Sequence, residues 1–235
     1  GRRVVDISDP AFPIEVGAYE VRGHAGQVVV AGGIAFVADR DWGLRVVDIS
    51  KPTRLTQIGF YGPLVYARDV AIAGGYAYIA AAYDGLRVVD ISDPAHPTQV
   101  SAYSTMGYAI SVAVVGNYVY VAMMLPGLLY VVDISDPSHP TQTGFYQLTG
   151  IGAYRDMVVY EGIAYMATEL GLELISLTDP AHPTYLGFIK LKDPTNPGPA
   201  CAVGMAVSGN LAYVTVENAG LKIVDVSSPS DLKLI

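Results

Sequence analysis

The chain repeats one short segment along its whole length. "VVDIS" or a close variant, followed by a Pro-containing turn, recurs six times with its polar residue at Asp6, Asp48, Asp90, Asp133, Ser176 and Asp225. Successive copies are therefore 42, 42, 43, 43 and 49 residues apart. A period of this length indicates a repeat architecture, in which one copy is one supersecondary unit that buries its apolar surface only by packing against its neighbours.

Each period contains four short apolar runs separated by turns. Between residues 69 and 103 the runs are "DVAIAG", one that begins "YAYIAA", "LRVVDIS" and "TQVSAY". Gly74-Gly75 separates the first two runs, and Asp84-Gly85 precedes the third. Runs rich in Val, Ile and Tyr, spaced about ten residues apart and joined by Gly-containing turns, predict antiparallel hairpins. We name the four predicted strands a, b, c and d.

The two-sided apolar pattern of these strands constrains the fold. A lone four-stranded sheet with two apolar faces is unstable in water, and radial stacking of such sheets buries both faces, as in β-propellers. A β-helix is the alternative, but its parallel strands do not fit the tight Gly-Gly and Gly-Asn turns. We therefore predict an all-β β-propeller of four-stranded antiparallel blades. It is expected to be six-bladed, because six copies of the c and d patterns make six the smallest closed ring; seven or eight blades, which need further sequence, and a partly open ring are the alternatives. The predicted single domain, residues 1–235, has units at 1–19, 25–61, 67–103, 109–147, 155–190 and 203–235.

The first of these units is half as long as the others. Residues 1–19 contain the c and d patterns, and no a or b pattern comes before them. We therefore expect the first blade to lack its two inner strands in this chain. Either an upstream segment or a different chain is expected to supply them.

Composition narrows the classes of partner. The net charge is −8, and the 14 Lys and Arg residues are spread thinly, so nucleic acid is not an expected partner. No apolar run approaches the roughly 20 residues of a membrane-spanning helix, so no direct membrane span is expected. Cys201 is the only cysteine, which excludes an intrachain disulfide.

The repeat unit resembles a known family. "GLRVVDISDPAHPTQV", together with the "VAIAGGYAYIA" pattern of strands a and b, resembles the LVIVD repeat of bacterial and archaeal proteins that are mostly predicted to be exported or surface-attached. Five of the six copies keep the aspartate of "VVD", whereas the fifth copy reads "LISLT". The resemblance implies a propeller fold and an extracellular, cell-surface or periplasmic location. It implies no catalytic residues and no cofactor.

The recurring acidic and histidine residues invite a metal-site hypothesis. An aspartate at a strand end, followed by Ser-Asp-Pro, is however typical of a residue that accepts backbone hydrogen bonds in a turn. His96, His139 and His182 occupy one repeat position, and neighbouring blades hold equivalent outer positions farther apart than the ~2 Å ligand distance of zinc permits. We therefore predict structural turns here and no metal.

The d–a loops vary in a repeat that is otherwise strict. In a propeller these loops and the b–c loops share one end of the channel, where binding residues commonly lie. Aligning the loops with the following strand places five residues at one level near the axis: His24, Tyr66, Tyr108, Ala153 and Cys201. The pairs Arg68-Asp69 and Arg155-Asp156 fall at matching levels two blades apart. Such groups suit a carboxylate or a sugar; the alternative is that each Arg-Asp pair only seals the top of its blade against the next blade.

The b–c loop "DRDWG" carries the only tryptophan, Trp42. In a polar loop, an indole is a candidate anchor for a protein or glycan partner. Asp39 and Asp41 of the same loop could contribute to a calcium site, but two carboxylates are weak evidence for an ion that takes about 6 to 8 oxygen ligands. The complete set of predicted binding residues is His24, Trp42, Tyr66, Arg68, Asp69, Tyr108, Arg155 and Asp156.

The sequence leaves two functions open. The chain has no nucleophile elbow and no phosphate-binding loop, which favours a non-enzymatic extracytoplasmic module that binds a partner or supports a cell-surface or larger protein assembly. The alternative is a hydrolase or lyase acting on a small anionic or sugar substrate in the propeller funnel. That alternative uses His24 or Asp69 as the base, Arg155 to stabilise charge and Tyr108 as the acid.

Overall fold

The computed structural model describes residues 2–20, 23–62, 66–148, 154–191 and 201–235. Within these ranges the chain forms 22 strands in six antiparallel sheets. The chain divides into two compact units, residues 1–106 and 107–235.

Unit 1 contains sheets 1 to 3. Sheet 1 has two strands, β1 (Arg2–Asp6) and β2 (Ile14–Tyr19). Sheet 2 consists of β3 (Ala25–Ala31), β4 (Ile34–Asp39), β5 (Gly43–Asp48) and β6 (Thr56–Tyr61). Sheet 3 consists of β7 (Asp69–Ala73), β8 (Tyr76–Ala80), β9 (Leu86–Asp90) and β10 (Thr98–Tyr103).

Unit 2 contains sheets 4 to 6. Sheet 4 consists of β11 (Ala109–Val115), β12 (Tyr118–Met123), β13 (Leu128–Asp133) and β14 (Thr141–Gln147). Sheet 5 consists of β15 (Tyr154–Tyr160), β16 (Ile163–Thr168), β17 (Gly171–Ser176) and β18 (Thr184–Lys190). Sheet 6 consists of β19 (Ala202–Ser208), β20 (Leu211–Val216), β21 (Gly220–Asp225) and β22 (Lys233–Leu234).

The strand order confirms the predicted hairpin arrangement. In every four-stranded sheet the strands pair in the sequence a-b-c-d, each antiparallel to the next. Sheet 1 holds only strands c and d, as the repeat pattern predicts. In sheet 2 the a–b hairpin is set by a Gly-Gly turn: Gly32 and Gly33 have φ of +56° and +76°, the left-handed conformation of a tight hairpin turn.

The repeated aspartates cap the turns that end the c strands. Asp48 Oδ1 accepts a hydrogen bond from the Ser50 amide at 2.8 Å, and Asp90 Oδ1 accepts one from the Ser92 amide at 2.8 Å. In the divergent fifth copy, Ser176 Oγ takes over this role. The hydrogen bonds from the serine residues lower the pKa of Asp48 and Asp90, because they favour the ionised carboxyl group.

The three repeated histidines also make local turn contacts. His96 Nδ1 lies 2.8 Å from Asp93 Oδ2, and His139 and His182 pair in the same way with the aspartates three residues before them. All three histidine side chains are exposed. Each pair therefore stays within its own turn.

The core of each unit lies between adjacent sheets. In unit 1 the main cluster joins Phe36 and Val46 of sheet 2 to Val70, Ile79 and Ile91 of sheet 3. In unit 2, one cluster joins sheets 4 and 5 and another joins sheets 5 and 6. In sheets 2 to 5 the b and c strands are the most buried strands, because they occupy the middle of the sheet.

Close backbone packing ties sheet 2 to sheet 3. A Cβ atom on Gly59 of β6 would overlap the carbonyl oxygen of Pro94, in the turn between β9 and β10. A Cβ atom on Gly17 of β2 would likewise overlap the carbonyl oxygen of Pro52 in sheet 2. Glycine at this position of strand d therefore lets the c–d turn of the next sheet approach its backbone.

Candidate functional site

The candidate site is a recess beside the β4–β5 turn. It has a volume of about 370 Å³ and is lined by Trp42, Arg45, Gln57 and Phe60. We call these four residues the Trp42 recess. The Trp42 amide donates to the Asp39 carbonyl oxygen at 3.1 Å, which closes the turn, and Trp42 is 49% exposed.

Arg45 of β5 forms the centre of the recess. Its Nε donates to Oδ2 of the fully buried Asp39 at 2.7 Å, and its Nη1 donates to Gln57 Oε1 at 3.0 Å. The guanidinium carbon lies 5.5 Å from the centroid of the Phe60 ring, within cation–π range. Charge-assisted hydrogen bonds and ring contact together hold the guanidinium in one orientation. The carboxylate of Asp39 compensates its charge.

Gln57 of β6 connects the recess to sheet 1. Its Oε1 accepts from Arg45 Nη1 and also from the Tyr19 hydroxyl group, at 2.7 Å. Gln57 Nε2 has no acceptor among the described residues, and Gln57 is exposed. The amide nitrogen is therefore the Gln57 group available to a ligand.

His24 belongs to the same loop cluster. Asp41 Oδ2 lies 2.9 Å from His24 Nδ1 and accepts from the His24 amide at 3.1 Å. Both contacts lower the pKa of Asp41, and the contact with the His24 side chain has the larger effect. A Cβ atom on Gly23 would overlap the Asp39 carboxylate and crowd the Trp42 ring, so glycine permits this close approach of the two loops.

Three predicted site residues lie at the start of β7. Tyr66 is exposed, whereas Arg68 is half-buried and Asp69 is buried. Asp69 Oδ1 accepts from the Val70 amide at 2.7 Å, and the Arg68 amide donates to the Ala80 carbonyl oxygen at 2.8 Å. These contacts anchor the strand start.

The predicted site residues of unit 2 also make contacts within their unit. Asp156 accepts from the amides of Met157 and Met205, each at 2.9 Å, and so links sheets 5 and 6. Burial raises the pKa of Asp156, and the two amide donors oppose that rise. Arg155 Nη2 pairs with Glu169 Oε1 at 3.1 Å.

Three further residues were predicted to lie at one level near the axis: Tyr108, Cys201 and Ala153. Tyr108 is half-buried and packs against the core between sheets 4 and 5. Cys201 is a buried free thiol. Ala153 lies outside the described residues.

Of the eight predicted binding residues, the structure brings His24 and Trp42 together in one loop cluster. Sequence reasoning missed Arg45, Gln57 and Phe60, which lie on strands c and d. The sequence did contain one indication of Arg45: the residue at its repeat position differs between copies of a c strand that is otherwise nearly constant. The residues at that position in the six copies are Arg3, Arg45, Arg87, Tyr130, Glu173 and Lys222.

Metal clusters and membrane-spanning helices are both absent from the described residues. Among them, no group of three or more His, Cys, Asp or Glu side chains is arranged to hold a metal ion. No helix within the described ranges is long and apolar enough to cross a membrane.

Solved structures share the architecture of this chain. A crystal structure of a protein from Lactobacillus plantarum matches 99% of this chain and 76% of its own length, with a TM-score of 0.84 and 16% identity. The periplasmic gluconolactonase of Pseudomonas aeruginosa matches 88% of this chain and 70% of its own length, with a TM-score of 0.77 and 15% identity. BamB from Moraxella catarrhalis matches 94% of this chain and 65% of its own length, with a TM-score of 0.65 and 11% identity. At these identities the similarity establishes the β-propeller fold.

The family comparison is more specific. No curated protein matches the chain. The model of the LVIVD repeat matches five segments: residues 3–21, 22–62, 66–105, 106–147 and 197–235. None of these matches covers residues 148–196, which contain the divergent "LISLT" copy. With well over half of its length matched, this all-β, propeller-fold chain belongs to the LVIVD repeat family.

Proposed function

We propose that this chain is a non-enzymatic, extracytoplasmic binding module of a cell-surface or larger protein assembly, and that the Trp42 recess holds a glycan. One observation carries the proposal. A half-exposed indole on a polar turn stands beside Phe60 and beside a guanidinium that is locked in place by Asp39 and Gln57. Exposed aromatic surface next to a few fixed polar groups is typical of a binding site.

The chemistry of the recess suits a neutral sugar ring. A pyranose has an apolar C–H face and a rim of hydroxyl groups. The indole of Trp42 and the ring of Phe60 offer flat apolar surfaces, and the amide of Gln57 offers a hydrogen-bond donor. Because Asp39 compensates the charge of Arg45 and the chain carries a net charge of −8, a polyanion is disfavoured.

Contacts at the other predicted residues support binding over catalysis. His24 is engaged by Asp41, Arg155 by Glu169, and Asp156 by two backbone amides. Asp69 is buried and caps its own strand. His24, Asp69 and Arg155 are groups that the hydrolase or lyase alternative would need to present to a substrate. The periplasmic location in the name of the Pseudomonas relative supports the proposed extracytoplasmic location.

The single tryptophan makes the proposal directly testable. Trp42 is the only source of tryptophan fluorescence, so a change in its emission reports on the recess. We would titrate the full chain with cellohexaose, xylohexaose and chitohexaose, and with polygalacturonate as the charged comparator. We expect a saturable emission shift with at least one neutral oligosaccharide and a weaker response to polygalacturonate. Phe60→Ala is expected to weaken that binding about tenfold, the loss of one aromatic contact.

Tyr83→Ala is the matched control. Tyr83 is an exposed aromatic residue in the β8–β9 turn of sheet 3, and it lies outside the recess. Its removal should leave the affinity unchanged. The proposal fails if no neutral oligosaccharide gives a saturable response, or if calorimetry shows equal affinity for the unchanged chain and for Trp42→Ala.

A further inference from the structure

Sheet 2 presents an apolar groove on the side facing sheet 1. The groove has a volume of about 450 Å³ and includes Val5 of β1, Val28 and Val30 of β3, Val37 of β4, and Ile49. We call it the sheet-1 groove. It is separate from the Trp42 recess and shares no lining residue with it.

The same repeat positions are covered in sheet 3. Val70, Ile79 and Ile91 are equivalent to Val28, Val37 and Ile49, each 42 residues later, and all three lie in the core between sheets 2 and 3. In sheet 2, by contrast, Val28 and Ile49 are only half-buried. The two faces have nearly the same composition, so the difference lies in what covers them.

The equivalent face of sheet 3 is covered by the a–b hairpin of sheet 2. Phe36 of β4 is 3% exposed and packs against sheet 3, together with Val29 and Ile34 from the same hairpin. The b strand carries a large aromatic residue at this position in every complete unit: Phe36, Tyr78, Tyr120, Tyr165 and Tyr213. Among the described residues, sheet 1 contributes no a–b hairpin to sheet 2.

β1 also offers an open edge to an incoming strand. The equivalent strands β5 and β9 pair on both sides, with strands b and d, whereas β1 pairs with β2 alone within the described ranges. Unpaired backbone groups along a strand edge are a template for strand addition.

Arg2 adds an unpaired polar group to this edge. It occupies the position of the buried Leu44 and Leu86, and it lines the sheet-1 groove. Its Nε and Nη2 are buried without a hydrogen-bond partner in the described part of the chain. Buried donors of this kind are costly unless an acceptor reaches them, and an added strand would bring backbone carbonyl groups to this edge.

From these observations we infer that the sheet-1 groove is a docking site for a β-hairpin with the repeat's own a–b pattern. The second strand of the hairpin pairs antiparallel with β1. Its central aromatic residue fills the groove as Phe36 fills the equivalent position on sheet 3. This docking site is independent of the proposed glycan site.

The test supplies the hairpin by fusion. A copy of residues 67–84, the a–b hairpin of sheet 3 with most of its b–c turn, is joined ahead of residue 1. The copied segment then meets β1 with the same spacing that joins β8 to β9. We expect the Tm to rise by at least about 5 °C, a gain of the size expected when a hairpin adds buried apolar surface to a domain of this length. We also expect hydrogen exchange of the β1 amides to slow at least about tenfold.

Two matched variants of the appended copy separate docking from a general effect of added sequence. Tyr78→Asp in the copy changes the residue equivalent to Phe36 and should abolish both gains. Ile79→Thr changes the next residue, which faces the opposite side of the hairpin, and should retain them. The inference is overturned if the fusion changes neither the Tm nor the exchange, or if the Tyr78→Asp copy performs as well as the unchanged copy. A concentration-dependent dimer of the unfused chain with protected β1 amides would equally overturn it, because a second copy would then be the occupant.

Discussion

Sheets 2 and 3 are built from the same repeat, and each position of one has an equivalent 42 residues later in the other. They share the Gly-Gly turn, the strand order and the aspartate that caps the c–d turn. They differ in the b–c turn, where Trp42 corresponds to Asp84, and in the cover over one face. The repeat therefore determines the strand arrangement and the turns of each sheet. The binding surface depends on a few turn residues, and the buried core depends on the neighbouring sheet.

The arginine on strand c shows how one turn changes a site. Arg45 reaches the buried Asp39 and Gln57 and lies against Phe60. Arg87, its equivalent, pairs with Asp84 in the turn itself, at 3.0 Å. The repeat positions of Asp39 and Phe60 are alanines in sheet 3, so sheet 3 cannot build the same recess.

The largest expected effect is on the free energy of unfolding, when the same substitution is made at two equivalent isoleucine residues. Ile91 is 6% exposed and Ile49 is half-buried, and the amide of each donates to a turn glycine of its own sheet. We expect Ile91→Ala to lower the free energy of unfolding by about 2–5 kcal/mol, the usual cost of emptying a buried isoleucine site. Ile49→Ala should cost about 1 kcal/mol, because less of its surface is removed from water. Urea unfolding of the two variants measures the difference, and equal costs would show that the two faces are covered alike.

A smaller effect is expected at the close backbone approach between the sheets. Gly59→Ala places a Cβ on the carbonyl oxygen of Pro94, so the backbone must shift, and we expect a loss of about 2–3 kcal/mol. Sheet 3 carries Ser101 at the equivalent position, which is another difference between the two sheets. Gly33→Ala is the control: its Cβ would meet no neighbour, and the left-handed φ alone costs about 1 kcal/mol. A Gly59→Ala variant no less stable than Gly33→Ala would show that the contact with Pro94 does not require glycine.

The smallest effect concerns the feature that the two sheets share. Hydrogen bonds from serine residues lower the pKa of Asp48 and Asp90 in the folded chain. The stability they contribute is therefore fully present above the unfolded-state pKa of about 3.9, and it is lost as the pH falls through the lower folded-state value. We expect Asp48→Asn and Asp90→Asn to flatten the acid side of the stability–pH curve by similar amounts. Urea unfolding between about pH 7 and pH 2 tests this, and a pH effect confined to one of the two residues would contradict their equivalence.

Much of the fold was predictable because its signals are short-range. Alternation of apolar residues, Gly-Gly turns and the Asp-x-Ser cap each act within about ten residues, and the predicted strands and the two-stranded first sheet follow from them. The Trp42 recess was only partly predictable. Arg45, Gln57 and Phe60 are brought together by the pairing of β5 with β6, and that pairing includes a register shift between Val46 and Val47. A shift of this kind changes which side chains meet across two strands.

The sequence by itself determined the repeat, the strand order within each sheet and the capped turns, because these depend on hydrogen bonds and side-chain alternation between near neighbours. Tertiary structure alone decided which equivalent residues are buried. Ile49 and Ile91 share their identity and their local hydrogen bond, yet the second packs under an a–b hairpin and the first lies beside an open groove. Burial depends on the surface that a neighbouring sheet supplies, and no pattern within one repeat unit encodes that surface.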